Sequence, residues 1–419
     1  MNMNFSNHNS ADRDVVVYVG GFELPDRNAA AQRVLANSWL LRDLGYRVVL
    51  IGMNKQATPG TGIVRDNHPG IEFDCWSMPY PASGMDWLRY ISSAGPIRDL
   101  VERHYANRLF ATISYNFPAL AQNDLRKWSR RNGAAAIAEV TEWYGKTRIR
   151  SLSALVKNLD VPLRMRLINK WMDGLITTSP FLTRYYRTSV RNLVELPGLF
   201  DWPDAKPSDS GQRRPGPVRL FFAGTGFDAA SVKLSKDGLK DRLDWVLDVL
   251  SLAHQRGSAF EFDIFGVNES DYLALVPDHA DKLLAMASKL RFHGRQPRPS
   301  VIKALVDADF SIFLRASNIV TEAGFPTKFA ESITFGTPVL TNRMDNIAPY
   351  MREGQTGFYL DAENLAAAAE SLAMVLSMDR QAIGAMKEHC LRSGIFNYRN
   401  FTQPVQEFIA AMQRGHVDA

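Results

Sequence analysis

The chain lacks the features that mark secreted and membrane-spanning proteins. Its 419 residues include only two cysteines, Cys75 and Cys390, far apart in sequence. This excludes a disulfide framework and favours buried free thiols in a reducing compartment. No apolar run reaches the roughly 18 residues of a transmembrane helix. Residues 1–14 are polar and lack the apolar core of a signal peptide. We therefore expect a cytoplasmic protein.

Several common site signatures are also missing. The turn at Gly20 and Gly21 does not have the G-x-G-x-x-G spacing of a dinucleotide site, and there is neither a P-loop nor a G-x-S-x-G elbow. No H-x-x-H, C-x-x-C or clustered carboxylates indicate a metal site. We therefore expect no metal and no resident cofactor.

Negative charge is scarce in the first half of the chain. The net charge is +5 overall, which divides into +8 for residues 1–200 and −3 for the remainder. This excess is either a solvated basic surface or a means of attracting an anionic acceptor or anionic lipid headgroups. Because no DNA- or RNA-binding signature accompanies it, we expect no nucleic-acid partner.

Short apolar runs alternate with helical patterns along most of the chain. Val15–Val19, a helical pattern over 27–44 and a second run over 47–52 form the first βαβ unit, whereas residues 53–94 look irregular. The pattern restarts at Val218, after a segment rich in proline, glycine and charge. This alternation predicts an α/β protein with two Rossmann-like, doubly wound domains. The predicted bounds are 1–200 for the first domain, 201–217 for the linker, 218–395 for the second domain and 396–419 for a final amphipathic helix.

The stretch over 310–342 carries the main candidate site. A predicted strand, 310–314, ends at Arg315, and a predicted helix over 327–335 carries Lys328 near its start and Glu331 one turn on. Ligands bind beyond the carboxyl ends of parallel strands. A cation at a helix N-terminus is unfavourable, and an anionic ligand would relieve this. Glu331 would accept ribose hydroxyls or cap the helix.

Further candidates lie at other predicted strand ends. In the second half, Gly224 and Thr225 form a glycine-rich turn whose N–H groups favour an anion, and Lys240 lies at the start of the following predicted helix. In the first half, Gly20 and Gly21 permit close approach by a ligand or simply form a tight turn. Glu139 and Glu142 end a strand, where they would act as a general base, hold an acceptor hydroxyl or pair with a nearby arginine.

Four segments together resemble one known family. They are G-G-F-E-L-P-D-R-N-A-A-A-Q-R-V-L, A-E-V-T-E-W-Y, the pair D-G-L-I-T-T-S and E-L-P-G-L-F-D, and A-G-F-P-T-K-F-A-E-S-I-T-F-G-T-P-V-L-T-N. The chain resembles bacterial glycosyltransferases of the GT-B fold, in the retaining family 4 group that acts in capsule, exopolysaccharide or O-antigen assembly. The last segment is the most specific.

The resemblance implies two domains facing across a cleft, with a C-terminal helix that crosses back to the first domain. The second domain would hold a nucleotide-sugar donor, and the first a glycan or lipid-linked acceptor. Lys240 and Arg315 stand nearest the basic pair that stabilises the leaving diphosphate, with Lys328 as an addition. Glu331 matches the second glutamate of the family's E-x7-E pattern, but Ala323 replaces the first.

The remaining assignments follow from the same resemblance. Glu142 occupies the neighbourhood of a histidine that is often found in the family. The expected donor contacts are Gly20, Gly21, Gly224, Thr225, Gly324, Phe325, Pro326, Thr327, Lys328 and Glu331.

These features predict a metal-independent transferase in the cytoplasm, at the inner face of the plasma membrane if its basic domain meets anionic lipid. Two alternatives remain open. One is a GT-B sugar-nucleotide epimerase, and the other is a non-catalytic GT-B partner protein.

Overall fold

The computed structural model describes residues 13–25, 27–58, 60–143, 152–201, 216–224 and 239–417. The chain divides into two compact units. The first contains Met1–Leu199 and Tyr398–Ala419, and the second contains Phe200–Asn397. Most of the predicted linker lies outside the described residues.

The first unit is built on an eight-stranded sheet with the order β3-β4-β2-β1-β5-β6-β7-β8. Only the edge strand β3 is antiparallel to its neighbour; the other pairs are parallel. The strands are β1 (Val15–Gly20), β2 (Arg47–Asn54), β3 (Val64–Asp66), β4 (Asp74–Pro79), β5 (Leu109–Tyr115), β6 (Ala135–Val140), β7 (Gly174–Thr177) and β8 (Asn192–Glu195).

Helices cover this sheet and bury its apolar strands. β1 is buried along its whole length, as its unbroken apolar sequence requires for a strand packed on both faces. The helices are α1 (Ala29–Asp43), α2 (Gly84–Ser92), α3 (Gly95–His104), α4 (Ala119–Arg131), α5 (Leu152–Arg166) and α6 (Pro180–Tyr186).

The second unit has a six-stranded parallel sheet with the order β11-β10-β9-β12-β13-β14. Counted within the unit this is 3-2-1-4-5-6, the order of a dinucleotide-binding Rossmann sheet. The strands are β9 (Val218–Ala223), β10 (Phe260–Phe265), β11 (Leu290–Gly294), β12 (Phe310–Ile312), β13 (Val339–Thr341) and β14 (Gly357–Tyr359). The helices are α7 (Leu243–Gln255), α8 (Glu269–Leu275), α9 (Ala280–Ala285), α10 (Arg298–Asp307), α11 (Ile319–Ala323), α12 (Thr327–Thr334), α13 (Leu365–Leu376) and α14 (Arg380–Ser393).

The last helix, α15 (Thr402–Val417), returns to the first unit. Val405, Phe408 and Met412 lie in the same apolar cluster as β1 and β6. The predicted fold class is confirmed: two Rossmann-like sheets and a C-terminal helix that packs on the first of them.

Two predictions about local structure were wrong. Residues 53–94, predicted to be irregular, contain β3, β4 and α2. The helix α2 was missed because Pro79, Pro81 and Gly84 at its start favour irregular chain, although its apolar residues recur at helical spacing. The strand predicted over 310–314 ends as a strand at Ile312, although Phe313 and Leu314 continue it as buried extended chain.

None of the helices in the described ranges is long and apolar enough to cross a membrane.

Candidate functional site

The candidate site lies in the second unit, where the strand order reverses. β9 and β12 are neighbours in the sheet, but the chain passes from β9 to β10 on one side and from β12 to β13 on the other. The helices that follow two such strands leave on opposite faces, which opens a crevice at their carboxyl ends. Arg315 follows β12 at this edge, and Ala223 ends β9.

Three charged side chains meet at this edge. Asp241 accepts a hydrogen bond from Arg315 Nε at 2.7 Å through one carboxylate oxygen and from Lys328 Nζ at 2.6 Å through the other. Lys328 Nζ also donates to the carbonyl oxygen of Ala223 at 2.8 Å. Lys328 is therefore tied to the end of β9, and Asp241 joins both cations into one cluster. We call these three side chains the Asp241 cluster.

The cluster rests on aromatic rings. Lys328 Nζ lies 4.6 Å from the centroid of Phe222 and 5.8 Å from that of Phe313. The Arg315 guanidinium carbon lies 5.5 Å from the same Phe313 ring. Aromatic faces attract cations, so this floor favours positive charge where solvent is largely excluded.

Burial and the neighbouring charges shift the pKa values of Asp241 and Lys328 in opposite directions. Burial raises the pKa of Asp241, but Lys328 and Arg315 outweigh this and hold it well below its usual range. Burial lowers the pKa of Lys328, and the Asp241 carboxylate limits the fall. The cluster combines two basic side chains with a single carboxylate, so an anionic ligand would complement it.

Asn342 fixes the main chain of Arg315, and the Arg315 guanidinium keeps N–H donors for a ligand. Its N–H donates to Asn342 Oδ1 at 2.9 Å, and Asn342 Nδ2 donates back to the Arg315 carbonyl at 3.0 Å. In the part of the chain that the structure describes, no protein acceptor is found for its Nη groups. A guanidinium has five N–H donors in a fork that matches phosphate oxygens, so Arg315 retains the geometry to bind an anion.

Glu331 lies one turn further along α12. Its Oε1 is 3.0 Å from Arg298 Nη2 at the start of α10. Burial raises the pKa of Glu331, and Arg298 opposes that rise. The structure does not support the prediction that Glu331 caps α12, because its carboxylate pairs with Arg298 instead. Arg298 was missed because nothing in its own neighbourhood of the sequence marks it.

The loop between β12 and α12 is ordered by internal hydrogen bonds. Asn318 caps α11 through the N–H groups of Val320 and Thr321. Asn346 Nδ2 bonds the carbonyls of Thr321 and Gly324 at 2.9 and 2.6 Å. Ala323, at the position of the family's first glutamate, is completely buried. The methyl group is therefore part of the packing under the loop.

The other predicted loop contacts differ in exposure. Gly324 and Pro326 are buried, and Thr327 is exposed at the first position of α12. Phe325 packs edge-on against the rings of Tyr350 and Phe396, with centroids 5.9 and 5.7 Å apart. Phe325 thus has a packing role whether or not it meets a ligand.

The remaining predicted residues of the second unit are not part of the Asp241 cluster. Gly224 follows β9 and its N–H donates to the Phe265 carbonyl at 3.0 Å, while Thr225 lies outside the described residues. Lys240 was predicted at the start of a helix, but α7 begins at Leu243 and Lys240 is exposed. The cation that joins Arg315 at Asp241 is Lys328. The sequence prediction therefore missed Asp241, the carboxylate that relieves the charge at the start of α12.

In the first unit, the predicted glutamates have different environments. Glu142 is half-buried beyond the end of β6. Glu139, within β6, is buried and bound by Arg33, by the Tyr18 hydroxyl and by Asn37 Nδ2, the last at 3.1 Å. Arg33 also donates to the carbonyls of Pro197 and Leu196 at 2.6 and 2.8 Å. The Glu139 network is therefore structural.

The two glycines after β1 have different neighbours. A β-carbon on Gly20, whose φ is +153°, would lie 2.0 Å from the Tyr115 carbonyl oxygen, whereas one on Gly21 would meet nothing within 4 Å. Glycine is therefore required at position 20, because β1 and β5 lie too close together there to admit a β-carbon. Only Gly21 leaves open space at the strand end.

This contrast gives a matched pair of variants. We expect Gly20→Ala to destabilise the first unit by about 2–4 kcal/mol, because backbone must move to admit the methyl group. Gly21→Ala should change stability by less than about 0.5 kcal/mol. Urea denaturation of both variants measures the difference. Equal stabilities would contradict a structural requirement at Gly20.

Comparison with known proteins found a family match in the second unit. Residues 233–378 match the family model described as glycosyl transferases group 1. That segment contains Asp241, Arg298, Arg315, Lys328 and Glu331. A search of curated protein sequences found no significant match.

Solved structures resemble the chain over almost its whole length. HepE of Anabaena, solved with UDP, has a TM-score of 0.62 at 12% identity and covers 94% of this chain and 99% of its own. Sucrose-phosphate synthase of Thermosynechococcus elongatus has a TM-score of 0.60 at 12% identity, with 96% and 100% covered. Trehalose-6-phosphate synthase of E. coli, bound to UDP-2-fluoro glucose, has a TM-score of 0.60 at 9% identity, with 94% and 98% covered.

The chain has the GT-B fold. Its second unit carries the group 1 glycosyl transferase segment, and the Asp241 cluster lies inside that segment. In this GT-B chain the candidate site is thus at the crevice of the unit whose sequence matches glycosyl transferases.

Proposed function

We propose that this GT-B chain is a glycosyltransferase that moves a sugar from a nucleotide-sugar donor to a glycan or lipid-linked acceptor, in the synthesis of a cell-surface polysaccharide. The observation that carries the proposal is the Asp241 cluster at the switch point of the second sheet. Arg315 and Lys328 supply positive charge on a largely buried aromatic floor, where a leaving diphosphate needs it.

The chemistry requires one bond to break and one to form. The bond between the sugar's anomeric carbon and the diphosphate oxygen breaks, and the diphosphate leaves with the electron pair. The acceptor hydroxyl forms the new bond and gives up its proton, and we assign Glu142 as a candidate for accepting it. The cationic side chains neutralise the leaving group, so the proposed transferase needs no metal. Retention of anomeric configuration is proposed from the family resemblance.

The residues that contact the donor are likewise proposed from the family resemblance. Glu331, 23% exposed and held by Arg298, would accept ribose hydroxyls. Gly21, Gly224 and Thr327 would approach the donor through main-chain groups. Lys240, exposed before α7, would join Arg315 on the diphosphate.

One specific observation favours a second candidate. Ala323 is buried where the family has its first glutamate, which lies near the donor sugar. A non-catalytic GT-B partner protein would tolerate this loss. Release of nucleoside diphosphate that depends on an added acceptor supports the transferase, and release without an acceptor supports an epimerase. Binding of a nucleotide-sugar without any release supports the non-catalytic partner.

Nucleoside diphosphates should stabilise the second unit. At about a hundredfold excess over Kd, ligand binding adds about 2.7 kcal/mol, which corresponds to a Tm rise of roughly 5–10 °C for a unit of this size. We expect diphosphates to exceed monophosphates and nucleosides, because the site binds the phosphate charge. A thermal-shift panel over the common bases measures this. No shift with any diphosphate would contradict the proposed site.

The variant Asp241→Asn tests, with the same thermal-shift measurement, whether the diphosphate binds at the Asp241 cluster. It removes the anion between two cations, so we expect a loss of about 1–3 kcal/mol and a larger diphosphate-induced Tm shift than in the wild type. The folded-state pKa of Asp241 is lowered, so its contribution is complete above its unfolded pKa of about 3.9 and is lost only in stronger acid. The stability difference should therefore be constant from about pH 6 to 8. Equal diphosphate shifts in both proteins would show that the anion binds elsewhere.

A further inference from the structure

Exposed apolar side chains gather at one edge of the first unit. Met85 and Leu88 on α2, Leu120 on α4, and Leu155 and Leu159 on α5 are all exposed, Met85 by 59% and Leu159 by 65%. Four of them lie within the first two turns of their helices, and Leu159 begins the third turn of α5. These helices follow β4, β5 and β6, whose carboxyl ends share one edge of the sheet, and α4 packs against both α2 and α5. Five large apolar side chains are therefore displayed at the edge where a parallel sheet binds its ligands.

A basic side chain follows the apolar ones on each helix. Arg89 lies one turn beyond Met85, Lys127 two turns beyond Leu120, and Arg166 two turns beyond Leu159, so each shares a face with its apolar neighbour. All three are exposed. No ion pair of Arg89, Lys127 or Arg166 is found among the described residues. We call these eight side chains the apolar-basic face.

The acidic residues of the same helices are already engaged within the protein. Asp86 accepts from Ser83 Oγ at 2.7 Å as part of the cap of α2. Asp124 accepts from the Ala94 N–H and from Arg98 Nη1, at 2.9 and 3.0 Å. Asp160 accepts from the Ala119 N–H at 2.7 Å. These three helices carry eight arginines and lysines against these three aspartates, so their net charge is positive.

This arrangement matches the layered chemistry of a lipid surface. Apolar side chains at the tip would enter the boundary between headgroups and acyl chains, while cations one or two turns behind would meet the anionic headgroups. A water-soluble glycan or a nucleotide offers no apolar surface for five such side chains. We propose that the apolar-basic face binds an anionic lipid bilayer.

The docking would bring the carboxyl edge of the first sheet to the membrane. Resting on the proposed transferase function, this placement assigns the acceptor to the lipid-linked class, because its sugar would be presented at that edge. Lipid binding itself needs no transfer activity, so it is testable alone.

The test uses the full chain and vesicles of phosphatidylcholine with or without about 30% phosphatidylglycerol, in a flotation assay. We expect binding to the anionic vesicles, little to the neutral ones, and a fall of about tenfold as salt is raised. Met85→Asp with Leu159→Asp should weaken binding at least about tenfold. The matched control is Leu284→Asp with Met374→Asp, which changes two equally exposed apolar residues of the second unit, 77% and 66% exposed, and should bind like the wild type.

A second pair separates charge from apolar insertion. Arg89→Gln with Arg166→Gln should weaken binding and flatten its salt dependence, while Lys303→Gln with Arg352→Gln, both exposed in the second unit, should not. All variants should keep the wild-type Tm and diphosphate shift. The proposal is overturned if anionic vesicles do not bind the wild type, or if the apolar pair and its control lose binding equally. A missing diphosphate shift with vesicle binding intact would instead count against the transferase.

Discussion

Arg315→Ala and Lys328→Ala should each lower the rate of sugar transfer by about 10²–10³-fold. Both cations lie where the diphosphate would gain charge as the sugar leaves, and their electrostatic effect is strong because each is mostly buried. Release of nucleoside diphosphate, followed with a donor that the wild type turns over, measures the loss. The loss should appear mainly in kcat, since the charge develops in the transition state.

The controls for this prediction come from the same unit. Lys303→Ala removes an exposed cation from α10 and should leave the rate within about twofold of the wild type. Thermal melting must show that Arg315→Ala and Lys328→Ala remain folded, since each leaves Asp241 with one partner. The sequence predicts the same loss for Lys240→Ala. Wild-type rates in both Arg315→Ala and Lys328→Ala would refute the proposed role of the Asp241 cluster.

Arg33→Met should destabilise the first unit by about 3–5 kcal/mol. The substitution leaves the buried Glu139 carboxylate without its cation and leaves the carbonyls of Leu196 and Pro197 without their donor. An uncompensated buried charge costs far more than the ion pair contributes when intact. Hydrogen exchange of the amides in β1 and β6 reports the opening free energy of this unit directly.

A surface ion pair in the same unit serves as the comparison. Arg47 pairs with Asp74 but is 46% exposed, so Arg47→Met should cost no more than about 1 kcal/mol. Restoring neutrality with Glu139→Gln in the Arg33→Met background should recover part of the loss. Similar protection in Arg33→Met and Arg47→Met would show that the Glu139 network contributes little.

Local patterns in the sequence were sufficient to predict the architecture. Unbroken apolar runs such as Val15–Val19 have no polar face and so predict buried parallel strands, and the amphipathic tail predicts a packed helix. The same logic was not applied at α2, where Pro79, Pro81 and Gly84 suggested irregular chain although the apolar residues that follow have helical spacing. The sequence therefore predicts the long apolar strands and misses elements such as β4 and α2, which lie in a stretch rich in proline and glycine.

The candidate site was predicted only in part, for a different reason. Arg315 could be proposed because it ends a predicted strand, and Lys328 because it lies near the start of a predicted helix. Asp241 could not, because it lies 74 and 87 residues away from them and only the fold brings it between the two cations. Glu139 shows the reverse error: its place near a strand end suggested chemistry, whereas Arg33, 106 residues away, makes it part of the core.

The return of α15 to the first unit has a consequence for the order of folding during synthesis. The second unit is one continuous stretch, Phe200–Asn397, whereas the first needs Val405, Phe408 and Met412 to complete its apolar cluster. These side chains leave the ribosome after the entire second unit has been made. The first unit is therefore the first to be synthesised and the last to be completed. Until α15 emerges, the apolar surface that α15 covers on the first unit is exposed. Chaperones that bind nascent apolar surface should accordingly stay on the first unit until the tail emerges.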